Sequence, residues 1–396
     1  MVKRNLKNIL RQETSAAPQL TKEQITALNQ ISIGGAKIAP SINTTSVEPV
    51  RVIVEFKQAP AKVAVMQAQL AGEKTTLTDE KQDVTDTHKQ FRSFIEGLSA
   101  HQVGINAVTA EHEGGSSSDI EITQEYQNAL NGVAMTLPGN MVERLFDSGL
   151  VSHVLADEKV KIDPTETTTV SQQSAEGLKE NSIPLPGIDA IHNEGIDGHG
   201  VKVGVLDTGI DYNHPDLTDV YKGYRKQEGV NPSTINPNSV KGWDFVDNDA
   251  DPMETTYDDW VKAGKPEATS SEEYWTYHGT HVSGTIAAQS KAAVENPAQG
   301  VAPGVDLYVY RVLGPYGSGY TSGIVGGIDK SVSDGMKVIN MSLGAPNNDP
   351  LSAEAIAVNN ATLAGVTCVI SAGNSGPSEG TLGTPGAAAT NYSWRK

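Results

Sequence analysis

Four short runs of this chain are apolar almost without interruption, and they limit the fold more than any other feature. Val201–Leu206, Leu307–Leu313, Lys337–Met341 and Val366–Ser371 lack the alternation of a strand with one wet face. Each reads as a strand covered on both faces. Helical patterns lie between them. Ile324, Ile328 and Val332 share one face, with Gly335 as a stop; farther on, Ser352 caps a helix start, Glu354 sits in its first turn and Gly365 ends it. Strands alternating with helices predict a parallel sheet with right-handed crossovers, and such sheets gather their sites at the carboxyl ends of the strands. From about residue 186 to 396 the expected class is therefore α/β.

The chain before this region is patterned differently. Residues 1–49 mix Lys, Gln, Thr, Ser and Ala with no sustained period and read as a leader or loose extension. Residues 50–163 predict a small α+β domain. Val50–Phe56 alternates like a half-buried strand, about 60–98 favours helix, and Ile120–Tyr126 and Val133–Leu137 are strand-like around Asn131-Gly132. Met141–Asp147 is a short amphipathic helix ended by Gly149, and Val151–Leu155 closes the set. The order β-α-β-β-α-β implies a split, ferredoxin-like unit with an antiparallel sheet, a topology that by itself says nothing of function. Residues 164–185, rich in Thr, Ser, Gln and Glu, read as an exposed linker open to proteolysis.

Composition excludes some partners. The formal net charge of −18 argues against nucleic acid or an anionic membrane, both of which need a basic face. The lone cysteine, Cys368, lies in an apolar run and reads as a buried small hydrophobe with no disulfide partner. No apolar stretch has membrane-spanning length, and the basic start of the chain is not followed by a signal-peptide core.

Three residues carry the chemistry. Asp207 leaves the first apolar strand into a Thr-Gly turn, where a carboxylate either caps the turn or is desolvated for use. His278 opens His278-Gly-Thr-His281-Val-Ser-Gly-Thr, a helix start from which an imidazole can project into a cleft. The two histidines at i and i+3 invite a zinc reading, but no glutamate base lies between them and no third ligand is evident, so His281 reads as packed or hydrogen-bonded. Asn374, in Ser371-Ala-Gly-Asn-Ser-Gly at the end of the last apolar run, can donate to a developing oxyanion or simply form a turn.

Taken together and in this order, these blocks resemble the subtilisin-like serine protease (subtilase) family. The resemblance rests on Asp207-Thr-Gly-Ile-Asp with Asn213-His-Pro-Asp-Leu, His278-Gly-Thr-His-Val-Ser-Gly-Thr, Gly300-Val-Ala-Pro, Asn340-Met-Ser-Leu-Gly and Ser371-Ala-Gly-Asn-Ser-Gly. It spans about residues 186–390. The Asp-then-His order agrees with the family's triad order. The preceding domain, with Leu130-Asn-Gly-Val-Ala-Met-Thr-Leu-Pro, is similar to the propeptide of bacterial minor extracellular and cell-envelope subtilases. The resemblance implies an endopeptidase acting on proteins outside the cell or at its envelope. Asp207 would orient the imidazole, His278 would serve as base and then acid, and Asn374 would hold the oxyanion. Ser342-Leu343-Gly344 and Gly317-Ser318-Gly319 would be the two edges along a peptide substrate. The propeptide domain would assist folding and block the cleft. No cofactor is required. Asp216 matches a calcium ligand of the family, but the Asn-rich loop that completes such a site is not recognisable in Gln289–Gln299, which leaves calcium an option.

Two departures stand out. The family nucleophile follows Gly-Thr in a Gly-Thr-Ser run, and these 396 residues contain none; Ser375, Ser378 and Ser393 are too close to the turn or to the last residue. The chain therefore reads as a truncated precursor, inactive by itself. The alternatives are a non-catalytic propeptide-type inhibitor or folding helper, and a gene fragment that misfolds. Second, the stretch from Trp243 to Tyr277 is long and acidic and reads as a surface loop, with cation binding or substrate steering as the sharper options.

Overall fold

In a computed structural model that describes residues 37–109, 120–161, 188–262, 264, 277–291, 299–376 and 378–394, the four apolar runs lie side by side in one sheet. The chain divides into two units. The first holds the described residues up to Glu158 with Asp349–Thr367 and Ala387–Asn391; the second holds Lys159–Asn348, Cys368–Gly386 and Tyr392–Trp394. The segment read as a linker, 164–185, lies outside the described residues.

In the first unit, strands β1 (Pro49–Phe56), β2 (Glu121–Tyr126), β3 (Gly132–Pro138) and β4 (Val151–Ala156) form an antiparallel sheet in the order β2-β3-β1-β4. The alternation along β1 sends Val52, Val54 and Phe56 into a core with Phe91, Ile95 and Leu98 from one helix and Val133, Met135 and Leu137 from β3. Each such side chain contributes roughly 1.5–3 kcal/mol by leaving water. The single helical stretch expected over 60–98 is two helices, Ala61–Ala71 and Leu77–Thr109. Gly72 separates them: it takes φ +78°, and its N–H turns back to Gln69 O. The short helix after β3 is a 3-10 helix, Gly139–Ser148, ended by left-handed Gly149 as the sequence predicts.

Residues 37–48, read as part of a loose extension, are instead a strap on this sheet. Ile38 bridges Val154, the Ala39 N–H donates to Val154 O at 2.9 Å, and Ile38 and Ile42 pack on the core. Helix Ala353–Leu363 also groups here, starting where expected: the Ser352 hydroxyl accepts the Ala355 N–H at 3.2 Å.

The second unit opens with β5 (Lys159–Lys161), followed by β6 (Lys202–Asp207), β7 (Trp243–Asp244), β8 (Asp306–Arg311), β9 (Ser318–Tyr320), β10 (Val338–Met341), β11 (Thr367–Ser371) and β12 (Tyr392–Trp394). Six of these form the order β12-β11-β10-β6-β8-β7, and β6 pairs in parallel with both β8 and β10. Hence Asp207 stands at the carboxyl end of a central strand. Val203, Val205, Leu307 and Val309 pack with Ala287, Ile286 and Val282 of helix His278–Ala287, which fixes that helix to the same sheet. Cys368 is buried on β11.

The acidic stretch from Trp243 is a surface loop only in part where it is described: residues 246–248 and 256–259 are exposed, but others are not. Trp243, Asp244, Ala250, Glu254 and Trp260 are all buried. The Trp260 indole N–H donates to Tyr316 Oη at 2.6 Å, which ties this stretch to the turn before β9. The pattern hid this because the buried residues are mostly polar or aromatic and follow no period.

Candidate active site

β6 delivers Asp207 fully buried to the end of the sheet. Its Oδ1 accepts the N–H of Thr208 at 2.7 Å and meets Nδ1 of His278 at 2.7 Å. Oδ2 is buried with no hydrogen-bond partner among the described residues. His278 is the first residue of its helix, with its side chain 30% exposed. Burial by itself would make the imidazole a weaker base. The hydrogen bond that Asp207 accepts, its charge, and the charge of Glu254 outweigh that and raise the pKa above the ordinary histidine value. With Nδ1 turned to a carboxylate, the proton of the neutral ring sits on Nδ1, and Nε2 on the far edge is the basic atom.

Two glycines let the strand end and the helix start touch. A Cβ on Gly279 would lie 2.1 Å from the carbonyl oxygen of Gly209, and Gly209 itself holds φ +123°. Two threonines then stitch the contact. Thr208 Oγ1 accepts the Gly279 N–H at 2.8 Å and donates to Glu254 Oε1. Thr280 donates to Glu254 Oε2 from its N–H at 2.8 Å and from its hydroxyl at 2.6 Å, while that hydroxyl accepts the Asp211 N–H at 2.8 Å.

Arg311 lies directly across from Asp207 in the β6–β8 register and is 3% exposed. Its guanidinium donates to Thr208 O at 3.2 Å, to Asp244 at 2.6 Å, to Asp247 at 2.7 Å and to the Thr255 hydroxyl at 2.8 Å. Glu254 and Arg311 were not singled out in the sequence. A single charge inside the apolar run Leu307–Leu313 was the available signal for Arg311. Glu254, in an aperiodic acidic stretch, had none.

The other predicted residues are placed as follows. Asn374 follows β11 just after left-handed Gly373; its side chain is exposed and makes no hydrogen bond among the described residues. Ser342, Leu343 and Gly344 run on from β10 without helix or strand structure. Ser342 Oγ accepts the Asn340 amide at 3.0 Å, and the Leu343 carbonyl accepts the Ser371 hydroxyl at 3.0 Å. Gly317 is left-handed at φ +62°, and Ser318 and Gly319 begin β9. β9 pairs antiparallel with β5, Val160 opposite Gly319, and Val160 is 4% exposed. His281, expected to be packed or hydrogen-bonded, is exposed, while Val282 and Ile286 of the same helix pack on the sheet.

Among the described residues no group of three or more His, Cys, Asp or Glu is arranged to hold a metal ion. Around Asp216 the groups are already matched. Its Oδ1 accepts the Lys291 N–H, and the Lys291 ammonium pairs with Asp219. A cation supplied by the chain stands there, so the described donor set does not fit calcium. No described helix is long and apolar enough to cross a membrane.

Comparison with known proteins agrees with the geometry. Residues 198–393 match the subtilase family, and residues 51–163 match the peptidase inhibitor I9 family. The chain is 36% identical over 268 residues to minor extracellular protease Vpr of Bacillus subtilis (strain 168), covering 67% of this chain and 29% of that protein. It is 35% identical over 283 residues to M-protease of Shouchella clausii (strain KSM-K16), covering 72% and 58%. It is 30% identical over 316 residues to subtilisin E of Bacillus subtilis (strain 168), covering 80% and 64%. The chain thus spans between 29% and 64% of the length of these relatives.

Proposed function

The chain belongs to the subtilase family, with an I9-type inhibitor domain ahead of its subtilase domain, and on that premise we propose that it is built for peptide-bond hydrolysis by an Asp/His/Ser triad. One observation carries the reading: Asp207 Oδ1 and His278 Nδ1 meet at 2.7 Å at the carboxyl end of a central parallel strand. Asp207 holds the imidazole in one tautomer and offsets the charge it gains. His278 takes the hydroxyl proton of a serine at Nε2 and returns it to the leaving amine. Asn374, with its amide exposed, donates to the carbonyl oxygen as it becomes an anion. These roles use side chains alone and call on no cofactor.

The substrate is a protein or peptide in extended form, lying between Ser318–Tyr320 and Ser342–Gly344. Support comes from β5, which already occupies the first of these edges as an antiparallel strand. The I9-type segment would hold the edge in this way until removed. By analogy with the extracellular relative, the site of action is outside the cell.

No serine in the Gly-Thr-Ser setting occurs in these 396 residues. With no such serine beside His278, these 396 residues are not expected to turn over peptides by themselves. Fluorophosphonate labelling followed together with casein hydrolysis tests this, and neither signal is expected. Labelling with hydrolysis abolished by His278→Ala would keep the chemistry and overturn the claim of a missing nucleophile. Hydrolysis surviving His278→Ala would overturn the roles given to Asp207 and His278.

A second reading has its own support, since the four-stranded unit matches an inhibitor family. In it, the chain binds and blocks mature subtilases. Inhibition of subtilisin E by the full chain at submicromolar concentration would favour it, and lack of inhibition would remove it.

A further inference from the structure

We propose that Glu254 is a positioning residue for His278. It fixes the imidazole against Asp207 by capping the histidine helix from a distant segment. The proposal rests on the reading of Asp207 and His278 as orienter and base.

The helix His278–Ala287 starts without a cap of its own: Tyr277, the residue before it, makes no side-chain capping bond. Its first N–H groups need acceptors from elsewhere. Glu254, 26 residues upstream of Thr280, supplies one. Its Oε2 accepts the Thr280 N–H at 2.8 Å, where the helix dipole also favours a negative charge. The same carboxylate reaches the other half of the dyad. Its Oε1 accepts the hydroxyl of Thr208, the residue joined to Asp207, and that hydroxyl in turn accepts the N–H of Gly279, the residue joined to His278. The third donor, the Thr280 hydroxyl, accepts the Asp211 N–H from the strand-end turn.

One buried carboxylate therefore receives three donors, and all three belong to threonines within two residues of Asp207 or His278. Only an ionised carboxylate has acceptor sites enough for this set without a donor of its own to place. An amide at the same position must turn an N–H₂ toward Thr208 or Thr280, and it carries no charge for the helix terminus. Such hydrogen-bonded chains polarise one another, so the clamp is stiffer than its separate bonds. Among the described residues the charged groups that bear on His278 are Asp207 and Glu254, while the Arg311 guanidinium is bonded to the Thr208 carbonyl. A clamp of this kind acts on the angle and length of the Asp207–His278 bond, to which imidazole basicity is sensitive.

The test uses the full chain labelled with 15N-histidine and needs no turnover. In the wild type the Nδ1 proton shared with Asp207 is read by NMR as a low-field signal, and His278 is titrated through its ring nitrogens. Glu254→Ala is expected to lose the low-field signal and lower the protonation constant of His278 about tenfold. Glu254→Gln is expected to keep a weakened signal and lower the constant about threefold. A signal and midpoint unchanged in both variants would overturn the proposal. If Glu254→Ala does not fold, Glu254→Gln, which keeps the volume, decides on the same two readings. Asp207→Asn separates the proposal from its premise. An unmoved His278 in that variant overturns the dyad, and the proposal with it. An unmoved His278 in the Glu254 variants alone overturns only the proposal.

Discussion

Asp207 and His278 are 71 residues apart in the chain, yet Oδ1 and Nδ1 meet at 2.7 Å because the glycine after each aligns backbone against backbone. Gly209 follows Asp207 by two and Gly279 follows His278 directly, and a side chain on Gly279 would fall 2.1 Å from the Gly209 carbonyl oxygen. Backbone cannot yield as the tip of a side chain can. Gly279→Ala should therefore cost about 3 kcal/mol, the upper part of the range for forced overpacking. It should also abolish the low-field His278 proton signal. Denaturant unfolding followed by emission from Trp243 and Trp260, both buried in the second unit, measures the loss; an unchanged midpoint would contradict this packing.

Arg311 and Asp244 form an ion pair at 2.6 Å with side chains 3% and 2% exposed. Burial pushes the Asp244 carboxyl up to about 6, against the pull of Arg311 and of the Asp247 backbone N–H. Removing the cation strands the anion. Arg311→Met should destabilise the second unit by about 3–5 kcal/mol at neutral pH. The sign of the pH effect follows from a raised carboxyl: its penalty is absent below the ordinary value of 3.8 and complete above the folded value. The variant should thus regain stability on acidification, and Asp244→Asn in the same chain should restore much of it at pH 7. Loss of stability that neither acid nor Asp244→Asn recovers would point to packing instead.

The first unit carries an opposite case. His88 and Arg92 hold the Glu125 carboxyl down to about 2, from an ordinary 4.5. A lowered carboxyl gives stability that is complete above 4.5 and fades as pH falls toward 2. With the Glu125 side chain 27% exposed, this amounts to on the order of 2 kcal/mol after solvent screening. Glu125→Gln should lose that much at pH 7 and show a flatter acid limb in circular dichroism. An acid limb as steep as that of the wild type would show that other carboxyls govern it.

Most of the frame could be read from the residues because burial on both faces leaves an unmistakable apolar run. The strand ending in Asp207 follows from such a run, whereas the helix opened by His278 shows only in the spacing of Val282 and Ile286. Caps were legible too, as Ser352 and Gly149 show. What escaped was polar and buried. Glu254, Arg311 and Asp244 satisfy one another through hydrogen bonds formed only after the chain closes, and no local period marks them. Gly72 broke a helix inside a stretch whose composition favoured one, since a left-handed turn needs a single residue. The strap 37–48 has too few apolar residues to announce itself, though Ile38 and Ile42 suffice to seat it.

The central claim is that Asp207 grips Nδ1 of His278 and makes the ring a stronger base than burial would allow. Titration of His278 by 15N NMR in the full chain and in Asp207→Asn tests it most directly. The wild-type midpoint is expected above the ordinary 6.5, because the pull of Asp207, with that of Glu254, exceeds the cost of burial. In Asp207→Asn the midpoint is expected to fall below 6.5, where burial keeps its cost and only the weaker pull of Glu254 remains. Stability drawn from the pair should accordingly be complete below 6.5 and fade as pH rises through the folded midpoint. A midpoint at or below 6.5 in both forms would contradict it.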